Sequence, residues 1–375
     1  MNAHLAPFPD ELLTSWYARR IYQRRGRTLA DPTAVRDRTG QWCHPDIRPT
    51  TRWLNGAAQT FNVASSQLAT NALAQRYPAL PLDFIAWDRP PFATEQECFR
   101  SAPRLRLSWC NRCLAEDFAA HRPAHIRHHW VLAASCFCHR HRWPLEERCS
   151  VCNAFNWQIV GSARGPLRML CAECWRPLER SLPAVLSAGA DLQECWDRVI
   201  AFETEVFTAL QGKTPDQFRF NFTSASQLLG EVRDISRLLA RNYWGYTRSN
   251  IPLNAFISPA MTPGRLRPDF FESEAPFPLA VASMAKRRCL LAAVCAILDP
   301  THATGVTLFG SNQPSAIETF VSTVDPCEIE RCLAPDGRWS QTFVRQVRAA
   351  QQRKARKSRR AATAAGSGLP RMSVG

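Results

Sequence analysis

Lysine is nearly missing from this sequence. Of its 47 basic residues, only Lys213, Lys286, Lys354 and Lys357 are lysines. The positive charge therefore sits on planar, permanently charged guanidinium forks that suit phosphate groups. Long apolar runs are missing too. The longest, Leu290 to Leu298, falls well short of the roughly 20 residues needed to cross a bilayer, so no membrane partner is expected. Met1 to Pro9 carries neither the basic nor the apolar stretch of a secretory signal. The expected compartment is the cytoplasm, where clustered cysteines more often bind metal than form disulfides. Several catalytic signatures are absent as well. There is no G-x-x-x-x-G-K-[ST] phosphate loop and no H-E-x-x-H zinc-protease helix. The H-x-E and P-C-x-x-C pair of the zinc deaminases is also lacking.

The chain does contain an excess of positive charge and a dense set of cysteines. Its 47 Lys+Arg against 32 Asp+Glu leave a net charge of +15 over 375 residues. Such a charge serves solubility and also fits a polyanionic partner, most often nucleic acid. Between Cys110 and Cys174 lie Cys110-Asn111-Arg112-Cys113, Cys138-His139-Arg140-His141, Cys149-Ser150-Val151-Cys152 and Cys171-Ala172-Glu173-Cys174. Two ligands separated by two residues fit on one tight turn, so each stretch is half of a tetrahedral zinc site. The four halves complete two structural Zn2+ sites with nothing left over. The simplest grouping is sequential: Cys110, Cys113, Cys138 and His141, then Cys149, Cys152, Cys171 and Cys174. An interleaved grouping has the same ligand count, and Cys136 with His139 has the same spacing as Cys138 with His141.

The expected fold is mainly α with small zinc-binding β-hairpin or knuckle elements. An N-terminal helical module (1–105) precedes a tandem zinc-binding region (106–182), a helical C-terminal domain (183–345) and a basic tail (346–375). Asp10 is placed to cap a first helix with Leu12, Leu13, Trp16, Tyr17 and Ile21 inward and Arg19, Arg20, Arg24 and Arg25 outward. Residues 50–77 suggest a helix-turn-helix: one helix over Trp53 to Phe61, a turn at Asn62-Val63-Ala64, and a second helix capped by Ser65 or Ser66 with Leu68, Ala69, Ala72 and Leu73 inward. That arrangement puts Ser65, Ser66, Gln67, Thr70 and Asn71 near DNA, with Arg76 the nearby positive charge. The same residues fit a plain helical hairpin or a protein-docking surface.

A helix is expected from Asp117 toward Trp130, with His121, His125, His128 and His129 as surface or packing residues. A hairpin over 155–160 and 167–170 should lead from Cys152 to Cys171. Apolar stripes mark helices across 183–248, with Ser224 or Ser226 as a cap. Lys286, Arg287 and Arg288 open an apolar helix that ends at Leu298, where they face either a phosphate or solvent. From Arg345 onward there are nine basic residues and no acidic one. This tail, with Arg353, Lys354, Arg356, Lys357, Arg359 and Arg360, is expected to be disordered when free. It suits either non-specific phosphate binding or solubility.

The assembled pattern resembles the TniQ family, which includes the TnsD-type target selectors of Tn7-like transposons. The matching residues begin with Pro9-Asp10-Glu11-Leu12-Leu13-Thr14-Ser15-Trp16. They continue with Cys110-Asn111-Arg112-Cys113-Leu114, Asp117 and Arg127-His128-His129-Trp130. Cys138 with His141, Leu145, and Cys149 with Cys152 complete the set. In that family a C-x-x-H stands just before a leucine and the next C-x-x-C, which selects Cys138 and His141. The resemblance implies a non-catalytic adaptor that selects or marks a DNA target and recruits an AAA+ ATPase and, through it, a transposase. It also implies that a CRISPR effector complex or a homodimer can be involved. Two other readings compete: a zinc-containing transcriptional regulator that uses the helix-turn-helix, and a zinc-dependent enzyme. Four-ligand sites leave no open position for a catalytic water, which counts against the enzyme.

Overall fold

A computed structural model of the chain describes residues 6–25, 35–36, 42–89, 103–161, 166–180, 190–213, 224–243, 278–299, 316–333 and 339–366. Of the proline-rich surface excursion that the sequence suggests over 249–283, residues 249–277 lie outside the described ones, as do residues 90–102 of the packed, proline-rich connector that it suggests over 78–105.

Helix α1 (Leu13–Arg25) stands between two cores. Leu13, Trp16 and Ile21 pack on Ala57, Phe61, Leu68 and Ala72 in the smaller one. The Trp16 ring meets Phe61 edge-on, with centroids 5.3 Å apart. Leu12 belongs to the larger core instead. Arg19, expected on the outer face, is fully buried and pairs with Glu11. A buried guanidinium needs such a carboxylate, and Glu11, in the segment that leads into α1, supplies it.

Helix α2 (Thr51–Phe61) begins where Thr50 Oγ1 accepts the Trp53 N–H at 3.1 Å. It ends at Asn62 in the left-handed region, φ 54. The expected second helix breaks into α3 (Ser65–Ala69) and α4 (Leu73–Arg76). Ala64 occupies the cap position of α3, so neither Ser65 nor Ser66 caps it. The break follows from competing bonds. Leu73 N–H turns to Asp46 O at 2.7 Å, and the Asn71 amide turns to Phe8 O at 2.8 Å.

The described strands form four two-stranded antiparallel sheets. These are β1 (Val35–Arg36) with β2 (Trp42–Cys43), β3 (Trp87–Arg89) with β4 (Arg104–Leu105), β5 (Phe137–Cys138) with β6 (Trp143–Pro144), and β7 (Trp157–Val160) with β8 (Arg168–Cys171). The last pair is the expected hairpin, in register from Trp157 opposite Cys171 to Val160 opposite Arg168. Gly161, at its end, lies so close to α1 that an added Cβ would stand 2.7 Å from Tyr22 Cε1. Helix α5 (Asn111–Ala119) begins earlier than expected and stops well before Trp130. Its first turn is fixed by the Cys110 and Cys113 pair.

The C-terminal half is helical, as its stripes predict. Helices α6 (Ala190–Leu210), α7 (Ala225–Tyr243) and α9 (Met284–Leu298), with the short α8 (Pro278–Val281), share the larger core with the cysteine-rich region. Ser224 Oγ accepts the Gln227 N–H at 3.3 Å and caps α7. Glu203 of α6 accepts the Cys136 and Phe137 N–H groups at 2.9 and 3.3 Å. Lys286, Arg287 and Arg288 face neither phosphate nor solvent; all three are buried. Arg287 donates to Leu132 O at 3.3 Å and Arg288 to Leu145 O at 3.0 Å. They supply donors to loop carbonyls that no strand pairs. Burial also lowers the Lys286 ammonium to about 7, with the Arg106 charge adding to the effect.

Helices α10 (Ala316–Thr323) and α11 (Pro326–Leu333) precede the long α12 (Gln341–Gly366). Trp339, Phe343, Val347 and Ala350 bury the start of α12 against the core. The tail expected to be disordered from 346 continues this helix to Gly366. Its run of Ala, Arg, Lys and Gln has high helix propensity and contains no Pro, and its first Gly is Gly366.

Candidate metal centres and their surroundings

The first centre is built by four short elements. Cys110 is the residue before α5, and Cys113 lies in its first turn. Cys138 closes β5, and His141 sits in the turn between β5 and β6. Cys113 Sγ lies 3.6 Å from Cys138 Sγ, and His141 Nδ1 lies 3.3 to 3.5 Å from all three sulfurs. A tetrahedral zinc with Zn–S near 2.3 Å would place its sulfurs about 3.8 Å apart. The cluster is thus already at ligand spacing. Hydrogen bonds from Cys110 and Cys113 hold the Cys138 thiol far below its ordinary value, while Cys110 and Cys113 are themselves pushed up, so Cys138 is the thiol of this cluster that ionises most readily.

The second centre joins the Cys149–Cys152 turn to Cys171, at the end of β8, and Cys174. Cys149 and Cys174 sulfurs are 3.6 Å apart, and those of Cys152 and Cys171 are 3.4 Å apart. Burial pushes the Cys149 thiol up, but the backbone amides of Cys152 and Val151 outweigh it and bring the value to about 7. Amides aimed at a thiolate are what a metal-binding knuckle provides.

Within each centre the donor atoms lie within 4.8 Å of one another. Both centres are suited to a metal ion, and each offers four protein donors. The grouping is sequential. The cysteines whose side chains are described form no disulfide. Cys136 is buried away from the first cluster, and His139 turns to Glu203, with Nε2 at 3.2 Å. Cys138 and His141 are therefore the pair that joins Cys110 and Cys113.

Two supporting carboxylates escaped the sequence reading. His141 Nε2 lies 2.7 Å from Glu116 Oε1, which fixes Nδ1 as the atom turned to the sulfurs. Glu116 stands one helical turn after Cys113, a legible spacing on α5. Glu203 holds the β5 knuckle from more than 60 residues away in sequence, and no local pattern marks it.

The Pro9 to Trp16 stretch clamps α1 to the segment that follows α5. Asp10 meets His125 Nε2 and Arg127 Nε, both at 3.2 Å. Burial would raise the Asp10 carboxyl, but the hydrogen bond and charge of His125, with the charge of Arg127, hold it below the usual range. Arg127 also reaches Asp117 at 2.7 Å. Ser15 Oγ accepts the Ile126 N–H at 2.9 Å, and Thr14 Oγ1 donates to Asp46 Oδ2 at 2.6 Å. His128 is a packing residue: burial, with the nearby Arg76 charge, drives it down to about 3 and keeps it neutral. His125 is buried in the same clamp, His121 is exposed, and His129 hydrogen-bonds Cys138.

The residues expected to meet nucleic acid divide into two kinds. Ser66, Gln67 and Thr70 are exposed and Ser65 is half-buried. Asn71 is buried, its amide spent on Phe8 O and Glu11 O, so it is withdrawn from that surface. Arg76 is exposed and donates to Pro9 O. On α12, Arg353 and Lys357 meet Glu318 at 2.7 and 3.7 Å, and Lys354 donates to Val321 O at 3.2 Å. Arg356, Arg359 and Arg360 are exposed. No described helix is long and apolar enough to cross a membrane.

A search of curated proteins finds no match. The TniQ family model matches residues 3–145, a stretch that holds α1, the 51–76 helices and the whole first metal centre. TniQ proteins are associated with transposition and serve target selection, in general without catalysis. The chain carries a TniQ domain over residues 3–145.

Proposed function

We propose that this protein is a zinc-stabilised adaptor, acting in the cytoplasm, that marks a DNA target for transposition and recruits an AAA+ ATPase, which in turn engages the transposase. The observation that carries the reading is the TniQ match over residues that form one continuous clamp around a four-donor metal cluster. Zinc in this role is structural. Cys110, Cys113, Cys138 and His141 would hold one ion, and Cys149, Cys152, Cys171 and Cys174 a second. Each ion would lock two distant turns together, as four-ligand sites do elsewhere. The exposed guanidinium groups of α12 would add DNA affinity without sequence preference, through phosphate contacts and counterion release. Ser66, Gln67 and Thr70 offer a small polar surface for DNA or for a protein partner, including a CRISPR effector complex or a second copy of the chain.

The regulator reading is weaker, because the second helix of the 51–76 stretch ends at Ala69 and cannot lie along a major groove as a recognition helix does. The test is capture of a transposon-type AAA+ ATPase, with and without DNA and ATP. Capture that grows with DNA is expected. Absence of capture under every condition would overturn the adaptor reading.

A further inference from the structure

The second metal centre displays apolar side chains that the fold does not need outside. Val151 is 65% exposed and Trp175 is 61% exposed. Val151 stands between the ligands Cys149 and Cys152, and Trp175 follows the ligand Cys174, so both flank the same four sulfurs. Trp175 also has φ 60, in the left-handed region. It shares this with Arg142 (φ 51) and Asn153 (φ 61), each of which also follows the second ligand of its turn. Three of the four ligand turns thus take a positive φ at that place, the Cys110–Cys113 turn running into α5 instead. Gly or Asn meets the demand with least strain, as Asn153 does. A tryptophan there bears the steric cost of left-handed backbone and keeps most of its ring in water. Packing does not account for it.

The surroundings are basic. Arg176 and Arg180 are exposed. The Arg148 guanidinium lies 3.6 Å from the centroid of the half-exposed Phe155 ring. The neighbouring carboxylates are engaged: Glu173 by the Asn156 amide at 3.3 Å, and Glu179 by Arg168 Nε at 2.7 Å. A flat exposed ring beside arginines is a stacking platform for nucleobases with cations for the backbone. Bases in a regular duplex already stack on one another, so the ring gains a partner only where a base is unpaired or unstacked.

We propose that the face formed by Val151, Trp175, Arg176 and Arg180 binds unpaired DNA bases, with the Trp175 indole as the stacking platform. This rests on the reading of the protein as a DNA-targeting adaptor and adds to it a preference for opened or distorted DNA.

The test compares the full chain with Trp175→Asn and Trp175→Phe. Asparagine suits the left-handed backbone, so the fold and the metal content should be retained; both are measured first. Binding is then followed by fluorescence anisotropy with a labelled single strand, a duplex containing an unpaired bubble, and a fully paired duplex. Trp175→Asn should weaken binding to the single strand and the bubble by roughly tenfold or more, as loss of one aromatic stack does. The paired duplex should change little, and Trp175→Phe should keep most of the affinity. Unchanged binding to unpaired DNA, or equal loss on all three DNAs, overturns the proposal. So does loss of ATPase capture with DNA binding intact, which would make this face a protein-docking surface. If Arg356, Arg359 and Arg360 substitutions weaken duplex binding while Trp175→Asn changes nothing, only this proposal falls. A wild-type chain that binds none of the DNAs removes both.

Discussion

Replacing Glu11 by alanine should destabilise the protein more than any surface change. Glu11 and Arg19 are both fully buried, and they form a bidentate pair with Nη2–Oε2 at 2.7 Å and Nε–Oε1 at 3.1 Å. Glu11 also accepts the Phe8 N–H at 3.1 Å and the Ser15 hydroxyl at 3.3 Å. Truncation strips the guanidinium of its carboxylate and removes the acceptor of two further donors. Arg19 keeps the Ala6 carbonyl at 3.4 Å and the Phe8 ring, 4.8 Å from its Cζ. A cation–π contact contributes up to about 2 kcal/mol even when desolvated. Removing one partner of a buried pair costs about 3–5 kcal/mol, so the contacts that remain do not compensate. The combination Glu11→Leu with Arg19→Met fills a similar volume without charge and should recover most of the loss, since apolar replacement of a buried pair is often neutral. Urea unfolding followed by tryptophan fluorescence measures both, because Trp16 is buried beside this pair on α1. With a slope of about 3 kcal/mol per molar, the single variant should lower the midpoint by at least about 1 M. The reasoning fails if Glu11→Ala unfolds within about 0.3 M of the parent, or if the double variant is as unstable as the single one.

Metal content gives a second prediction: Cys138→Ser and Cys171→Ser should each lose one ion and much of the thermal stability, whereas Cys136→Ser should keep both ions. Retention of both ions by Cys138→Ser would break the assigned ligand sets. Burial, partly offset by bonds from Ser340, raises the Glu231 carboxyl from 4.5 to about 7. The folded state then binds this proton more tightly than the unfolded chain does, so this group's contribution to stability is greatest below pH 4.5 and is lost as pH rises toward 7. The difference between parent and Glu231→Gln stability curves should change by about 1–3 kcal/mol across that window, and parallel curves would refute it. Gly161→Ala should lower the melting temperature by several degrees, since the new methyl meets Tyr22 Cε1 at 2.7 Å and Leu167 Cδ2 at 3.0 Å. A neutral result would mean that α1 yields against the β7–β8 hairpin.

What the sequence discloses here depends on how local the cause is. The ligand pairs are legible because a tight turn fixes their spacing, and the C-terminal helices are legible because Trp196, Val199, Ile200 and Leu228 to Leu239 repeat at helical spacing. Arg19 and the Lys286 to Arg288 run mislead because charge normally marks a surface, and only distant partners such as Leu132, Leu145 and Glu147 show that these cations are inside. The second helix of the 51–76 stretch fails for the same reason. Its local pattern favours continuation, and a bond from Leu73 N–H to Asp46 O breaks it. The basic tail errs in the opposite sense. Charge suggests disorder, while residue propensity and the anchor at Trp339, Phe343 and Val347 carry the helix through to Gly366.

The residues that carry the family resemblance also bear on where the proposed target recognition would lie. Glu11, Leu12, Leu13, Ser15 and Trp16 are buried, as are Cys110, Cys113, Leu114, Asp117, Arg127, His128, Trp130, Cys138 and Leu145. Their polar atoms are spent largely on one another: Asp10 with His125 and Arg127, Arg127 with Asp117, Ser15 with Ile126. Groups used this way are not available to a DNA base or a partner protein. The shared motif therefore specifies a scaffold, and a scaffold can be kept while the target changes. Under the proposed function, recognition would fall to side chains outside the motif that the scaffold leaves in solvent. Those are Ser66, Gln67 and Thr70 beside α3, the guanidinium groups at the end of α12, and Trp175 on the second metal centre. Trp175 and α12 lie beyond residue 145, where the family match stops. If the proposed function holds, the part of the chain outside the family match is thus the part expected to distinguish one target from another.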